Sequence, residues 1–353
     1  MTREDHQDHG VIARLARGII ELATTRRSTA LRLPYPPSLQ LALDQVVLFG
    51  LVEGLRVPAG VPELLSWCRA GWPMEWRSKL LADLLAPGTR LIHPAGGEPT
   101  SSCAELASPG PGGTVQEEAE ELLNRLMGTC GTVHRFMACR DYLISNPVIL
   151  NFDPAAMNQP MLAQTWKLVK LLYEQVPERF LVDGAMYRCT RCRLLAKTAT
   201  VGGEWCEGGC QQDVRKLERS EEPRRALAIP FALRLFLALP GHTELSVRSR
   251  LTGRTTFIPV GLGVHEAVDH RGIPRVFQVQ DLEQPVPAAK RAAVLADRLG
   301  RVLDILVPDD RMADLSYRQS FQSALPFGAP VRLLSVSEFV ATPPSERLRR
   351  SDA

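Results

Sequence analysis

Four cysteines in two close pairs constrain this chain more than any other feature: Cys189-x2-Cys192 and Cys206-x3-Cys210, with thirteen residues between the pairs. That interval is long enough for a hairpin that brings two knuckles together, and each knuckle offers two thiolates. Four thiolates complete a tetrahedral shell and leave no position for water. The pattern therefore predicts a structural zinc ribbon over residues 184–213, with Zn2+ binding coupled to folding. Paired cysteines also suit a redox dithiol, but the flanking Gly, Arg and Trp residues favour the ribbon. Cys68, Cys103, Cys130 and Cys139 have no such pairing. Cys68, Cys130 and Cys139 lie among apolar or helical residues, as buried free thiols do.

A chain of 353 residues has room for two or three cores. No apolar run approaches the length needed to cross a bilayer, and the first ten residues lack the apolar centre of a signal peptide. The expectation is a cytoplasmic protein with no membrane partner, its thiols reduced unless metal-bound. Residues 1–183 carry 17 basic and 20 acidic side chains, a balance of −3, whereas residues 184–353 carry 25 and 19, a balance of +6. A basic second half fits contact with a polyanion, DNA or RNA.

Apolar side chains at helical spacing predict helices over 11–28, from Leu39 to about Gly54 with Ser38 as N-cap, and from Val61. Between Ala86 and Gly113 the pattern dissolves into Pro, Gly and Ser, which predicts a long connection with neither helix nor strand. Helices resume over Glu117–Met127, His134–Ile144 and Leu162–Tyr173. Residues 1–183 thus form a mostly helical domain. His93 and His134 stand apart from any second ligand or nucleophile and read as ordinary surface or core histidines.

After the ribbon, residues 214–225 mix both charges densely and predict an exposed linker. Leu233–Leu239 fits a helix or a buried strand equally well. Phe257–Val260 is a candidate strand, Val264–His270 and Arg275–Leu282 a hairpin, Pro287–Leu299 a helix, and Val302–Pro308 a buried strand. Val331 opens a terminal strand that leads into a helix start at Ser337. Hairpin, helix and strand together predict a small α/β domain over 226–342, followed by a tail, 343–353.

That layout is the one used by restriction-endonuclease-like domains of the PD-(D/E)XK type. Such nucleases place an acid on the first hairpin strand and an acid-x-Lys triplet on the second. The carboxylates hold a divalent cation that activates water, and the lysine positions the nucleophile. Strand residues i and i+2 share a face, so the triplet aims both groups at one phosphate. Glu266 and Asp269 are the candidate acids here. The triplet falls on Gln278-Val279-Gln280, whose amides supply neither the carboxylate nor the cation. Asp281 or Glu283 would substitute only by a change of register.

The chain resembles the restriction-endonuclease-related protein of prokaryotic Piwi (pPIWI-RE) systems. The likeness rests on Leu33-Pro-Tyr-Pro-Pro-Ser-Leu-Gln-Leu-Ala-Leu-Asp, Val61-Pro-Glu-Leu-Leu-Ser-Trp-Cys-Arg, Gly97-Glu-Pro-Thr-Ser-Ser-Cys-Ala-Glu-Leu-Ala, the cysteine ribbon, and Arg332-Leu-Leu-Ser-Val-Ser-Glu-Phe-Val. The resemblance implies a component of a three-part module proposed for defence against invading DNA, with a Piwi-like protein and a DinG-type helicase as partners. It also implies a catalytic acid at or near Glu266 and an Asp-Val-Lys triplet at Gln278-Val279-Gln280, from which this sequence departs. The leading expectation is a degenerate nuclease that binds nucleic acid. An endonuclease with relocated acids, using Mg2+ or Mn2+, and a non-catalytic structural adaptor are the alternatives.

Overall fold

The computed structural model describes residues 3–25, 33–76, 85–86, 88–94, 97–107, 114–198, 204–210, 216–253, 255–261, 263–269 and 274–341. They form two compact units, Met1–Phe236 and Leu237–Ala353. Among the described residues no helix is long and apolar enough to cross a membrane.

The first unit is helical from its start: α1 Arg3–Thr25, α2 Pro37–Glu53, α3 Val61–Ala70, α4 Met74–Trp76, α5 Ser101–Leu106, α6 Val115–Cys130, α7 Val133–Ser145 and α8 Pro160–Val169. On α1, Val11, Ile12, Leu15, Ala16, Ile19 and Ile20 recur at helical spacing and are all buried. Gly18 lets α2 come close, since a Cβ there would lie 2.6 Å from the backbone nitrogen of Leu39. Trp67, Trp72 and Trp76 form a mutual cluster with ring centroids 5.8–5.9 Å apart.

Two local expectations are corrected here. Pro37 opens α2, because its fixed φ suits the first helical turn, while the Ser38 hydroxyl donates to the Glu21 carboxylate instead of capping. The Pro- and Gly-rich connection contains α5, started by Thr100, whose hydroxyl accepts from Cys103 N at 3.1 Å. The Thr100 cap and the burial of Ser101 to Glu105 hold a helix inside a stretch whose composition reads as loop.

Two small sheets complete this unit. One has the order β1-β7-β2, from Val148–Ile149, Leu227–Ala228 and Glu174–Gln175. The other has the order β5-β4-β3-β6, from Trp205–Cys206, Leu195–Lys197, Met186–Cys189 and Leu217–Ser220. They share a core of Val148, Leu150, Val176, Phe180, Met186, Leu195, Trp205, Ala226 and Ala228. Residues 217–220, expected as part of an exposed linker, are therefore a paired strand: Arg188 lies opposite Glu218 and also bonds its carboxylate.

The second unit is an α/β sandwich. The first unit closes with α9 Phe231–Leu233 and the start of a π-helical turn, Arg234–Ala238; the second holds α10 Leu239–Leu251, β8 Thr255–Gly261, β9 Val264–Asp269, β10 Pro274–Val279, α11 Pro285–Leu299, β11 Leu303–Val307, α12 Asp309–Ala313, α13 Leu315–Ala324, β12 Val331–Ser335 and α14 Val336–Ala341. The π turn and α10 resolve the ambiguous run Leu233–Leu239 as helical. Strand order is β12-β11-β10-β9-β8, with β8, β9 and β10 antiparallel and β10, β11 and β12 parallel. Val247 and Leu251 of α10 and Phe339 of α14 pack with Ala267, Phe277, Val279, Leu306 and Leu334 in one core.

Candidate metal centre

The hairpin between β3 and β4 carries the first knuckle. Cys189 ends β3 and its N–H donates to Leu194 O at 2.9 Å. The bend between them is closed by Arg193, which sits in the left-handed region at φ 61 and donates to Cys189 O at 2.9 Å. An arginine bears this conformation at a cost that glycine would avoid, so the turn is held by its surroundings. In the second knuckle Cys206 ends β5, Gly209 turns at φ 64, and the Cys210 N–H donates to the Cys206 sulfur at 3.3 Å.

The ligand atoms of Cys189, Cys192, Cys206 and Cys210 all lie within 4.8 Å of one another, with Cys192 and Cys206 Sγ 3.9 Å apart. A tetrahedron of sulfurs bound at about 2.3 Å from an ion has edges of about 3.8 Å. The four thiols thus fit one metal ion, and three of them are buried. Cys189 is pushed far down in pKa, first by the hydrogen bond from Cys192. Cys206 is also lowered: its contact with Cys189 opposes this, and donation from Cys192 and Cys210 outweighs it. Cys192 and Cys210 are pushed up, in each case first by the bond to Cys189. A cation that binds sulfurs held this close displaces their protons into solvent.

The supports of this centre were not legible as a pattern. Glu207, immediately after Cys206, accepts from Leu195 N at 3.3 Å and meets Arg234 in a bidentate pair at 2.7 Å for both contacts. Lys197 on β4 reaches Glu98 at 2.8 Å, and Arg179 approaches the other oxygen of Glu98 at 3.5 Å. Phe180 stacks on Trp205 at 6.1 Å, and His93 meets the same indole edge-on at 6.1 Å. Only the isolated position of Glu207 between a cysteine of the cluster and two glycines hinted at a role.

The expected nuclease residues lie on β9, β10 and just beyond. Glu266 is opposite Val276, and Gln278 is opposite Val264, so Glu266 and Gln278 are diagonal neighbours on one face. Gln280 follows the end of β10; its Nε2 donates to Gln278 Oε1 at 2.9 Å, so the two amides are bonded to each other. Glu266 pairs with Arg301 at 2.7 Å, and Asp269 is the last residue of β9, in register with Thr255. Glu283 pairs with Arg311 at 3.6 Å.

Two buried polar groups of this unit escaped the sequence reading. Glu244 on α10 contacts His265 on β9 at 2.9 Å, both nearly sealed from water. Asp304 on β11 is fully buried and accepts from Arg275 at 2.9 and 3.1 Å and from Arg332 at 2.7 Å. A single carboxylate inside the apolar run Leu303-Asp-Ile-Leu-Val was the available signal, because such a group needs a buried cation.

Residues 11–150 match the family model of the pPIWI_RE three-gene island domain Y. This match associates the chain with pPIWI-RE systems. It contains the stretches beginning at Leu33, Val61 and Gly97 that carried the resemblance, and it ends before the cysteine sheet. No curated protein matches the chain, and no solved structure does.

Proposed function

We propose that this chain is a zinc-stabilised, non-cleaving nucleic-acid-binding component of a pPIWI-RE system for defence against invading DNA. It works in the cytoplasm beside a Piwi-like protein and a DinG-type helicase. The association with pPIWI-RE systems supports the setting. Zinc suits a closed set of four soft thiolates, and with no ligand position left over its role is structural.

The observation that carries the non-cleaving reading is the bond between the Gln278 and Gln280 side chains. In a PD-(D/E)XK domain these positions would hold an acid and a lysine. Here one neutral amide donates to the other, and neither charge needed for metal-assisted attack on a phosphodiester is supplied by them. The order helix, three antiparallel strands, helix, parallel strand from α10 to β11 supports a restriction-endonuclease-like architecture for this unit. Nucleic-acid contact is supported by the charge of +6 on residues 184–353.

A structural adaptor is the second reading, favoured by the pairs Glu98–Lys197 and Glu207–Arg234 that brace the cysteine sheet. The deciding experiment measures binding and cleavage by zinc-loaded protein on labelled single- and double-stranded DNA and RNA with Mg2+ or Mn2+, alongside Glu266→Ala and Asp269→Ala. Salt-sensitive binding without cleavage is expected. Cleavage that a variant abolishes would establish a relocated nuclease site, and absence of both activities would leave the adaptor.

A further inference from the structure

The sheet of β3 to β6 carries more positive charge than it pairs. Residues 187–197 and 216–219 hold six cations, Arg188, Arg191, Arg193, Lys197, Lys216 and Arg219, and one acid, Glu218. Three of the six have carboxylate partners: Arg188 pairs with Glu218 at 2.5 Å, Lys197 with Glu98 at 2.8 Å and Arg219 with Glu221 at 3.4 Å. The side chains of Arg191, Arg193 and Lys216 make no hydrogen bond or ion pair among the described residues. The cysteine sulfurs are therefore not their partners either.

These three cations surround the first knuckle. Thr190 N donates to Lys216 O at 2.8 Å, one step beyond the register pair Cys189–Leu217, so Lys216 stands across from the residue that precedes Arg191. Arg193 N donates to Cys189 O at 2.9 Å, which folds the knuckle back on itself, and the Arg193 guanidinium is within electrostatic reach of Arg188 and Glu218. Lys216 and Glu218, two residues apart on extended chain, share a face. Arg191 and Lys216 are exposed and Arg193 is half-buried. Glycine would close the turn at φ 61 without strain, so what the arginine contributes there is its side chain.

The surroundings say what these charges face. Among the described residues of this sheet no large apolar side chain is exposed, whereas a protein partner needs an apolar centre to its contact. A phosphate backbone needs only cations and donors displayed on a surface. We infer that the first knuckle is a phosphate-contact site for nucleic acid, at which Arg191, Arg193 and Lys216 hold the sugar-phosphate backbone without reading bases. The inference rests on the nucleic-acid-binding reading above.

The test is fluorescence anisotropy of full-length, zinc-loaded protein with labelled DNA and RNA, each as duplex and single strand, and with a second DNA duplex of unrelated sequence, over a salt series. Arg191→Gln, Arg193→Gly and Lys216→Gln each reduce the slope of log K against log salt by about 0.9 on the DNA duplexes and about 0.7 on single strands. A slope change of about 0.9 corresponds to a loss of about 8-fold in affinity at 0.1 M salt, equal on the two DNA duplexes. Arg191→Lys keeps the parent slope. Arg193→Gly melts no lower than the parent, because the strained turn is relieved, and the zinc content of every variant equals that of the parent. Parent affinity and slope in the triple variant overturn the inference while the nucleic-acid reading stands, because the contact then lies elsewhere. Losses confined to one sequence overturn it in favour of base readout, and loss of zinc overturns it in favour of cations that serve the metal centre. No binding of any probe by the parent protein overturns both.

Discussion

Glu207 and Arg234 meet as a bidentate ion pair, 2.7 Å at both contacts, with side chains only 2% and 6% exposed. Arg234 also donates to Ile229 O, so the guanidinium ties the residue after Cys206 to the start of the π-helical turn. Removing one partner strands a buried charge, at a cost of about 3–5 kcal/mol. Glu207→Gln and Arg234→Met should each lower the unfolding free energy by that order and weaken metal retention. The double variant should lose less than the two single losses combined. Chemical denaturation combined with metal analysis checks this, and additive losses would contradict it.

Chelation of the metal should unfold the sheet of β3 to β6 locally and leave α1 and α2 in place. The four cysteines draw the two ends of this small sheet to one point, whereas the helices have their own buried side chains. Hydrogen exchange should rise in residues 186–198 and 204–210 on adding a chelator. Cys189→Ser and Cys206→Ser should produce the same pattern without chelator. Titrating the native protein with a mercurial should release about one equivalent of zinc as the four thiols react.

The four-cysteine cluster was legible because its members form a local pattern with fixed spacing, and strands β9 and β10 because two short runs flank the sequence Arg271-Gly-Ile-Pro. What the sequence did not expose are relationships across distance. Glu207 and Arg234 are 27 residues apart, and Arg188 contacts Val148 O from 40 residues away. Strand Leu217–Ser220 was hidden by its charges: Glu218 satisfies Arg188, so a charged run became part of a sheet. The first knuckle closes on Arg193, where a sequence reader looks for glycine. The pairing of Gln278 with Gln280 confines the nuclease question to one face of a sheet whose order no local periodicity could provide.

Helix packing in the family-matched region depends on Gly18. A Cβ there would lie 2.6–2.7 Å from Leu39 N, Cα and Cβ, and backbone cannot move aside as a flexible side chain can. Gly18→Ala should cost about 1–3 kcal/mol through displacement of α2. Gly128 on α6 is the control, since a Cβ there meets nothing within 4 Å. Gly128→Ala should stabilise by about 0.5–1 kcal/mol through the unfolded chain and helix propensity. Denaturant midpoints with unchanged m-values measure both, and the two substitutions shifting in the same direction would refute the argument.

Cys130 ends α6 and Cys139 lies inside α7, and their sulfurs stand 3.7 Å apart in a buried site. Burial, with the hydrogen bond and charge of Cys130 added, pushes Cys139 up to about 12. The folded state therefore favours the neutral thiol. Its contribution to stability is fully present below the unfolded thiol pKa of about 8.5 and is lost as pH rises toward the folded value. The stability difference between parent and Cys139→Ala should be constant from pH 6 to 8 and shrink above about pH 9. Alkylation of Cys139 followed by peptide mass spectrometry gives an independent reading: at pH 9 the folded protein should react slower than the denatured chain by a factor on the order of 10²–10³ from thiolate fraction alone. Rapid labelling of native Cys139 at pH 8 would mean that the thiol is neither buried nor raised.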